Sequence, residues 1–239
     1  KVKSILNDFD EELINCFKHI RDDVKKMIDY LSFEKATKSR HKYYKEEYIP
    51  KNKFEKAIRY YYLNRTSYSG IMKKQNCFFG YGEKYSMRPE NWGRQLIKNN
   101  LKLKNVELYN LDFEELILKY KNKDAFIFLD PPYFNADQDK FYTVSFNYED
   151  HLRLMKLLKK LPSNIKFLLT YDNSKEIRSL YKWAKIKDPQ EWNYTISRTD
   201  DQKNQKKMKD GHFSKRNKGK ELFITNYKVS KKEQLSLAL

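Results

Sequence analysis

The stretch Ala125 to Phe134, AFIFLDPPYF, constrains this chain more than any other. An apolar run of strand length stops abruptly at a carboxylate and two prolines. Proline cannot donate to a β-ladder, so the run predicts a central parallel strand that ends at Asp130, on the carboxyl edge of a sheet. Open α/β sheets bind their ligands at that edge. Pro131 and Pro132 also fix the backbone beyond Asp130, so its side chain, the Pro131 carbonyl and the Tyr133 ring would converge on one small volume. Two hydrogen-bond acceptors beside a flat aromatic face suit an exocyclic amine on a planar base. The competing reading makes Asp130 a strand-to-turn cap and Tyr133 a core residue; the IFL run before Asp130 counts against it.

The elements around this strand alternate. A short strand at Val2 to Leu6 is followed by Asp8 to Ser32, where Leu13, Ile14, Phe17, Ile20, Val24, Met27, Ile28 and Leu31 recur at helical spacing and predict one long amphipathic helix. Phe54 to Leu63 reads as a helix, Val106 to Asn110 as a strand, 148–161 as a helix and Lys166 to Tyr171 as a strand. Trp192 to Arg198 and Glu221 to Tyr227 have no helix between them and read as an antiparallel hairpin. The polar loop Asn135 to Asn147, holding Phe141, Tyr142 and Phe146, has the length of a lid. Together these predict an α/β fold: a mostly parallel, doubly wound sheet of about six or seven strands with an antiparallel C-terminal hairpin at one edge. Residues 1–32 and 101–239 would form the main domain, and 33–100 an inserted helical lobe.

Lys and Arg number 50 against 32 Asp and Glu, a formal charge of +18. Such a surplus favours a polyanionic partner, because each neutralised phosphate releases counterions. AT-rich genomes inflate Lys, Asn and Tyr as well, so the patterning has to carry the case. In 33–100 basic residues interleave with aromatics, which suits phosphate contact and base stacking. Asn64 and Arg65 are candidates for base-edge or phosphate contacts, and Lys73, Lys74 and Arg88 for phosphates; alternatively NRTSYSG is a helix C-terminus stopped at Gly70. The connection TDDQKNQKKMKDGHFSKRNKG is lysine-rich and almost free of aliphatics, so Arg198, Lys215 and Arg216 join the nucleic-acid candidates. Cys16 and Cys77 lack CxxC spacing, and His19, His41, His151 and His212 form no ligand set, so no metal site is expected. With no membrane-length apolar run and no visible signal peptide, a cytoplasmic, nucleoid-associated protein is expected.

Six stretches, LNDFDEELI at 6–14, LNRTSYSG at 63–70, LYNLDFEEL at 108–116, LDPPYF at 129–134, LLTYDNS at 168–174 and KGKELFITNY at 218–227, occur in the order found in one family. Together they resemble the Dam-like DNA adenine-N6 methyltransferases. DPPY-like motifs alone also occur in RNA methyltransferases. The resemblance implies a Rossmann-like methyltransferase fold with a DNA-recognition lobe at 33–100, S-adenosylmethionine as cofactor, double-stranded DNA as substrate and a restriction-modification setting with a cognate endonuclease. It further implies that Asp130, Pro131, Pro132 and Tyr133 form the catalytic motif and that Asp8, Asp112, Phe113 and Asp130 face the cofactor. From the residues alone, Asp8 either binds a ribose diol or caps the following helix, with Asp10 competing for the cap. Likewise Asp112 accepts from an amino group or caps a helix, and Phe113 packs on a ring or in the core. Asp172 and Asn173 lie beside the target-base pocket or cap the helix starting near Ser174. The family's FxGxG turn does not occur in the sequence. It would precede Lys1, belong to a partner chain, or be lost, the last leaving a DNA-binding remnant. An RNA amino-methyltransferase is the other alternative.

Overall fold

A computed structural model describes residues 2–82, 86–135, 142–193 and 218–228, and for 188–193 and 218–220 the backbone alone. The chain divides into two compact units, Lys1–Leu116 with Gln138–Ser145, and Ile117–Asp137 with Phe146–Leu239.

In the first unit β1 (Ser4–Asn7) pairs in parallel with β2 (Val106–Tyr109), Asn7 lying opposite Tyr109. Between them in sequence come α1 (Glu11–Asp22), α2 (Val24–Leu31), α3 (Lys38–Lys42), α4 (Lys53–Thr66) and α5 (Trp92–Leu103). Asp10 caps α1, its side chain accepting the Glu12 and Leu13 amides at 2.9 and 3.1 Å. The single helix expected over 8–32 is broken at Asp23, where φ is −126° and ψ 28°. His19 Nδ1 meets the Asp23 carboxylate at 2.6 Å, an example of an aspartate drawn to a local partner rather than continuing a helix. The apolar stripe nevertheless persists across the break: Ile14, Cys16 and Ile20 before it and Met27 and Leu31 after it are buried.

The tyrosine-rich segment supplies core, not surface. Tyr44 and Tyr62 stack at 4.4 Å between centroids, and Trp92 meets Tyr61 and Tyr62 edge-on. Buried aromatics each remove about 150–250 Å² from water, which makes them the largest apolar contributors here. Helices α4 and α5 share this core with α1 and α2.

The second unit holds β3 (Ala125–Leu129), α7 (Tyr148–Lys159), β4 (Ile165–Asp172), α8 (Lys175–Leu180), β5 (Lys185–Asn193) and β6 (Lys218–Thr225). Its sheet runs β3-β4-β6-β5, with β3 and β4 parallel and both neighbours of β6 antiparallel to it. Among the described residues the strands thus lie in two sheets rather than one of six or seven strands: the parallel β1–β2 pair and this mixed four-stranded sheet, whose antiparallel edge is the C-terminal β5–β6 pair. The predicted hairpin is present, but β5 begins at Lys185 rather than Trp192, and residues 194–198 lie outside the described set. Pro189 obscured that start. It falls in a register shift between Lys187 and Gln190, and a bulge on an edge strand is where a residue without an N–H is tolerated. Along β4 the pleat buries Ile165, Phe167, Leu169 and Tyr171 and turns Thr170 and Asp172 to the opposite face. Asn147 and Asp150 form a capping box on α7. His151 of that helix meets the Tyr171 hydroxyl at 2.5 Å. No helix among the described residues is long and apolar enough to cross a membrane.

Candidate active site

Each unit carries one part of the predicted site. At the carboxyl end of the β1–β2 pair, Asn7 spans the strands with its side-chain amide, donating to Leu111 O at 3.0 Å and accepting from Leu111 N at 2.9 Å. Asn110 Nδ2 donates to Asp8 O at 2.9 Å. These ties bring Asp8 and the Leu111–Phe113 segment to one end of the sheet. Asp8 Oδ1 accepts the Asp10 amide at 2.8 Å, while Asp10 carries the cap and also accepts from Thr143 Oγ1 at 2.7 Å. Asp8 is half-buried. Burial lifts its carboxyl above the usual range, the Asp10 amide opposes the lift, and the Asp10 charge adds to it. Asp112 Oδ1 accepts the Glu114 amide at 2.8 Å at the start of α6 (Phe113–Lys119), and Phe113 is half-buried there.

In the second unit β3 ends at Leu129 and the chain turns through Asp130, Pro131, Pro132 and Tyr133. Two side chains from one face of β4 hold this turn. Thr170 Oγ1 donates to Asp130 Oδ1 at 2.6 Å and lies 3.3 Å from Leu129 O. Asp172 accepts the Phe134 amide at 2.8 Å and Asn135 Nδ2 at 3.1 Å. Glu221 lies opposite Asp172 in the β4–β6 register. Burial lifts the Glu221 carboxyl above its usual range, the Tyr133 hydroxyl opposes this, and the Asp130 charge adds to it. Beneath the turn the Phe134 ring packs 5.2 Å from the His151 ring. Burial pushes the His151 pKa down, against the pull of Asp172 and Asp150.

Asp172 thus neither caps a helix nor stands idle; Ser174 caps α8, and Asn173 accepts from Arg178. Thr170 and Glu221 were missed in the sequence. The signal for Thr170 was its place two residues before Asp172, on the same face of a strand. Glu221 is a lone carboxylate opening an apolar strand.

The nucleic-acid candidates are dispersed. The Asn64 amide is engaged within the turn it precedes, donating to Gly70 O at 3.3 Å and accepting from Arg65 Nη2 at 2.7 Å. Arg65 Nε is buried without a hydrogen-bond partner. Beyond α4 the chain folds on itself: Gly80 N donates to Thr66 O and Tyr68 N to Phe78 O, each at 2.9 Å. Lys73 is half-buried, and Lys74 and Arg88 are exposed. Lys74 lines a cleft of about 200 Å³ with Lys45 and Arg59, cations that sequence reasoning did not single out, and with the carboxylate of Glu12. Arg198, Lys215 and Arg216 lie outside the described residues.

Residues 1–196 match the family described as D12 class N6 adenine-specific DNA methyltransferase. Among individual relatives, the Type II methyltransferase M1.LlaDCHI of Lactococcus lactis subsp. cremoris is 27% identical over 198 residues, 75% of this chain and 69% of that protein. M.MjaIII of Methanocaldococcus jannaschii is 29% identical over 180 residues, 66% of this chain and 61% of its own length. M.CviBI of Paramecium bursaria Chlorella virus NC1A is 27% identical over 186 residues, 74% of this chain and 67% of its own. The matched regions thus span between 61% and 69% of these relatives. With the family match reaching from the first residue through β5 and the DPPY turn held at the end of β3, the chain belongs to the D12 class of N6 adenine-specific DNA methyltransferases.

Proposed function

We propose that this chain takes part in methyl transfer from S-adenosylmethionine to N6 of an adenine in duplex DNA. The observation that carries the proposal is the DPPY turn itself: Asp130 oriented by Thr170, with the backbone beyond Tyr133 fixed by Asp172. Adenine N6 is a poor nucleophile because its lone pair is delocalised into the ring. Hydrogen bonds from the amine to the Asp130 carboxylate and the Pro131 carbonyl favour a pyramidal nitrogen and free the lone pair for attack. Asp130 orients the amine and need not be a strong base, since the proton can leave after transfer. An amine inside a duplex cannot reach such a turn, so the base is flipped out and stacks on the Tyr133 ring.

S-adenosylmethionine would supply the electrophilic methyl group. The residues present fit it: Asp8 is a half-buried carboxylate at the carboxyl end of a parallel strand and suits a ribose diol. Asp112 and Phe113 would face the adenine. Asn64, Arg65, Lys73, Lys74, Arg88, Arg198, Lys215 and Arg216 are proposed as DNA contacts, with 33–100 as the recognition lobe. The relatives' designation as Type II methyltransferases supports a cognate endonuclease and, with it, a cytoplasmic setting.

The test is transfer of radiolabelled methyl groups from S-adenosylmethionine to unmethylated duplex DNA and, in parallel, to RNA. N6-methyladenine in DNA alone is expected, and Asp130→Ala should abolish it while leaving DNA binding intact. Near-normal turnover by Asp130→Ala would defeat the assignment.

A further inference from the structure

The cleft lined by α1, α4 and the segment after Gly70 lies wholly within the first unit. Arg59 of α4 is anchored in it: its Nε donates at 2.9 Å to the Tyr44 carbonyl, in the single π-helical turn Tyr43–Glu47. The two terminal nitrogens of the guanidinium are left for other acceptors. One of them stands 3.9 Å from Glu12 Oε1, too far for a hydrogen bond. Lys45, from the same π-helical turn, and Lys74 enter no ion pair with a described residue. Lys45 Nζ lies 5.1 Å from the centre of the Phe78 ring, which is 60% exposed. Three cations thus line the cleft against one carboxylate, itself half-exposed. Leu63 and Cys77 behind them are buried, and a wall without water strengthens every charge interaction beside it. Like charges gathered in such a place repel one another, and a bound anion relieves the repulsion.

We propose that this cleft seats one backbone phosphate of the duplex, gripped by the Arg59 fork and neutralised by Lys45 and Lys74. The inference rests on the proposed function, which supplies duplex DNA as the ligand. A planar guanidinium matches phosphate oxygens two at a time, and it keeps that geometry when its Nε is already tied. About 200 Å³ is the room of roughly six water molecules at about 30 Å³ each, which admits a phosphate group with its first waters. A contact of this kind fixes where the duplex sits and reads no sequence. Glu12 opposes the phosphate charge, so its removal tightens the grip.

The experiment follows binding of a fluorescein-labelled, unmethylated duplex by anisotropy between about 50 and 200 mM salt, with melting temperatures on each protein. It compares wild type, Glu12→Gln, the Lys45→Gln/Lys74→Gln double variant and the Lys45→Gln/Arg59→Gln/Lys74→Gln triple variant. A Lys156→Gln/Lys159→Gln/Lys160→Gln control removes as much charge from exposed positions on and just after α7. The triple variant should flatten the slope of log K against log salt by about 0.9, one phosphate, so that its deficit against wild type shrinks about threefold over that range. The double variant, which breaks no ion pair with a described residue and leaves the Arg59 anchor in place, should flatten the slope by no more than about 0.9. A loss of about 1.8 would mean two separate phosphates and overturn the inference. Glu12→Gln should bind DNA about two- to fivefold tighter, the scale of one exposed charge pair; unchanged or weaker binding would count against the site. A control that flattens the slope as much as the triple variant would assign the effect to total charge, and weakened binding at an unchanged slope would assign it to structure; either overturns the inference. If wild type neither binds nor methylates duplex DNA, the proposed function falls and this inference with it. If wild type methylates DNA and both cleft variants keep its salt slope, the function stands and the phosphate site alone is refuted.

Discussion

Replacing Thr170 by valine removes one hydroxyl and keeps the shape of the side chain. Thr170 is 6% exposed and its Oγ1 lies 2.6 Å from Asp130 Oδ1. Hydrogen bonds to charged acceptors contribute about 1.5–3 kcal/mol. Asp130 is exposed, so water takes up part of the vacated bond and the loss should fall near the lower bound, at about 1–1.5 kcal/mol. At about 1.4 kcal/mol per tenfold in rate, kcat for methyl transfer should fall roughly five- to tenfold. The threonine methyl is already in place, so the melting temperature should change little. The assay is initial-rate transfer of labelled methyl groups at saturating DNA, with calorimetry on the same preparations. A kcat within about twofold of wild type at equal thermal stability would show that Thr170 does not set the orientation of Asp130.

Gly80→Ala should unseat the fold-back after α4, since a Cβ there would stand 2.3 Å from Tyr68 Cα and 2.5 Å from Tyr68 N. Losing the two hydrogen bonds across it and straining the backbone should cost about 3 kcal/mol in urea denaturation. Arg40→Ala strips the guanidinium fork from Glu34, which is 8% exposed and keeps only the Tyr44 hydroxyl among the hydrogen bonds seen here. Because the Arg40 side chain is 38% exposed, the destabilisation should be about 2 kcal/mol, below the usual range for a buried pair. Stability should also fall on acidification. Burial holds His151 and His41 below their ordinary value of 6.5, so the unfolded chain binds protons that the fold refuses. The stabilisation is complete above about pH 6.5 and is lost as pH drops through the folded values. Melting temperatures taken between about pH 8 and 5 should show this slope, and His151→Gln should flatten it.

What was legible in the sequence is what local chemistry decides. AFIFLDPP specified strand β3 and its stop, because prolines end a ladder whatever surrounds them. The apolar spacing of 11–31 specified a buried helical face, although not the break at Asp23, since the His19–Asp23 contact leaves no mark on periodicity. The start of β5 was illegible because Asp188-Pro189 looks like a stop and only a neighbouring strand makes it a bulge. The tyrosines of 43–62 looked like a stacking surface for bases, but Tyr44 and Tyr62 stack on each other and Tyr61 and Tyr62 meet Trp92 edge-on in the core. At the candidate site Asp8, Asp112 and DPPY could be named from motifs. Thr170 and Asp172 acquire roles only through strand register, which depends on pairing partners more than 35 residues apart, as the separation of 38 between Phe134 and Asp172 illustrates.

Among the described residues strand β3 pairs only with β4, at the edge of its sheet rather than in the central place expected from sequence, and it presents Phe126 and Phe128, each 59% exposed. An open strand edge beside bare aromatic rings invites self-association. In dilute buffer the net charge of +18 opposes it by keeping copies apart. The Debye length shrinks from about 10 Å at 0.1 M salt to about 3 Å at 1 M, so salt raised to strip bound nucleic acid also removes that repulsion. The colloidal behaviour should therefore invert during purification: material freed of nucleic acid in high salt should scatter more light as ionic strength rises, and Phe128→Lys should restore dispersion without touching the DPPY turn.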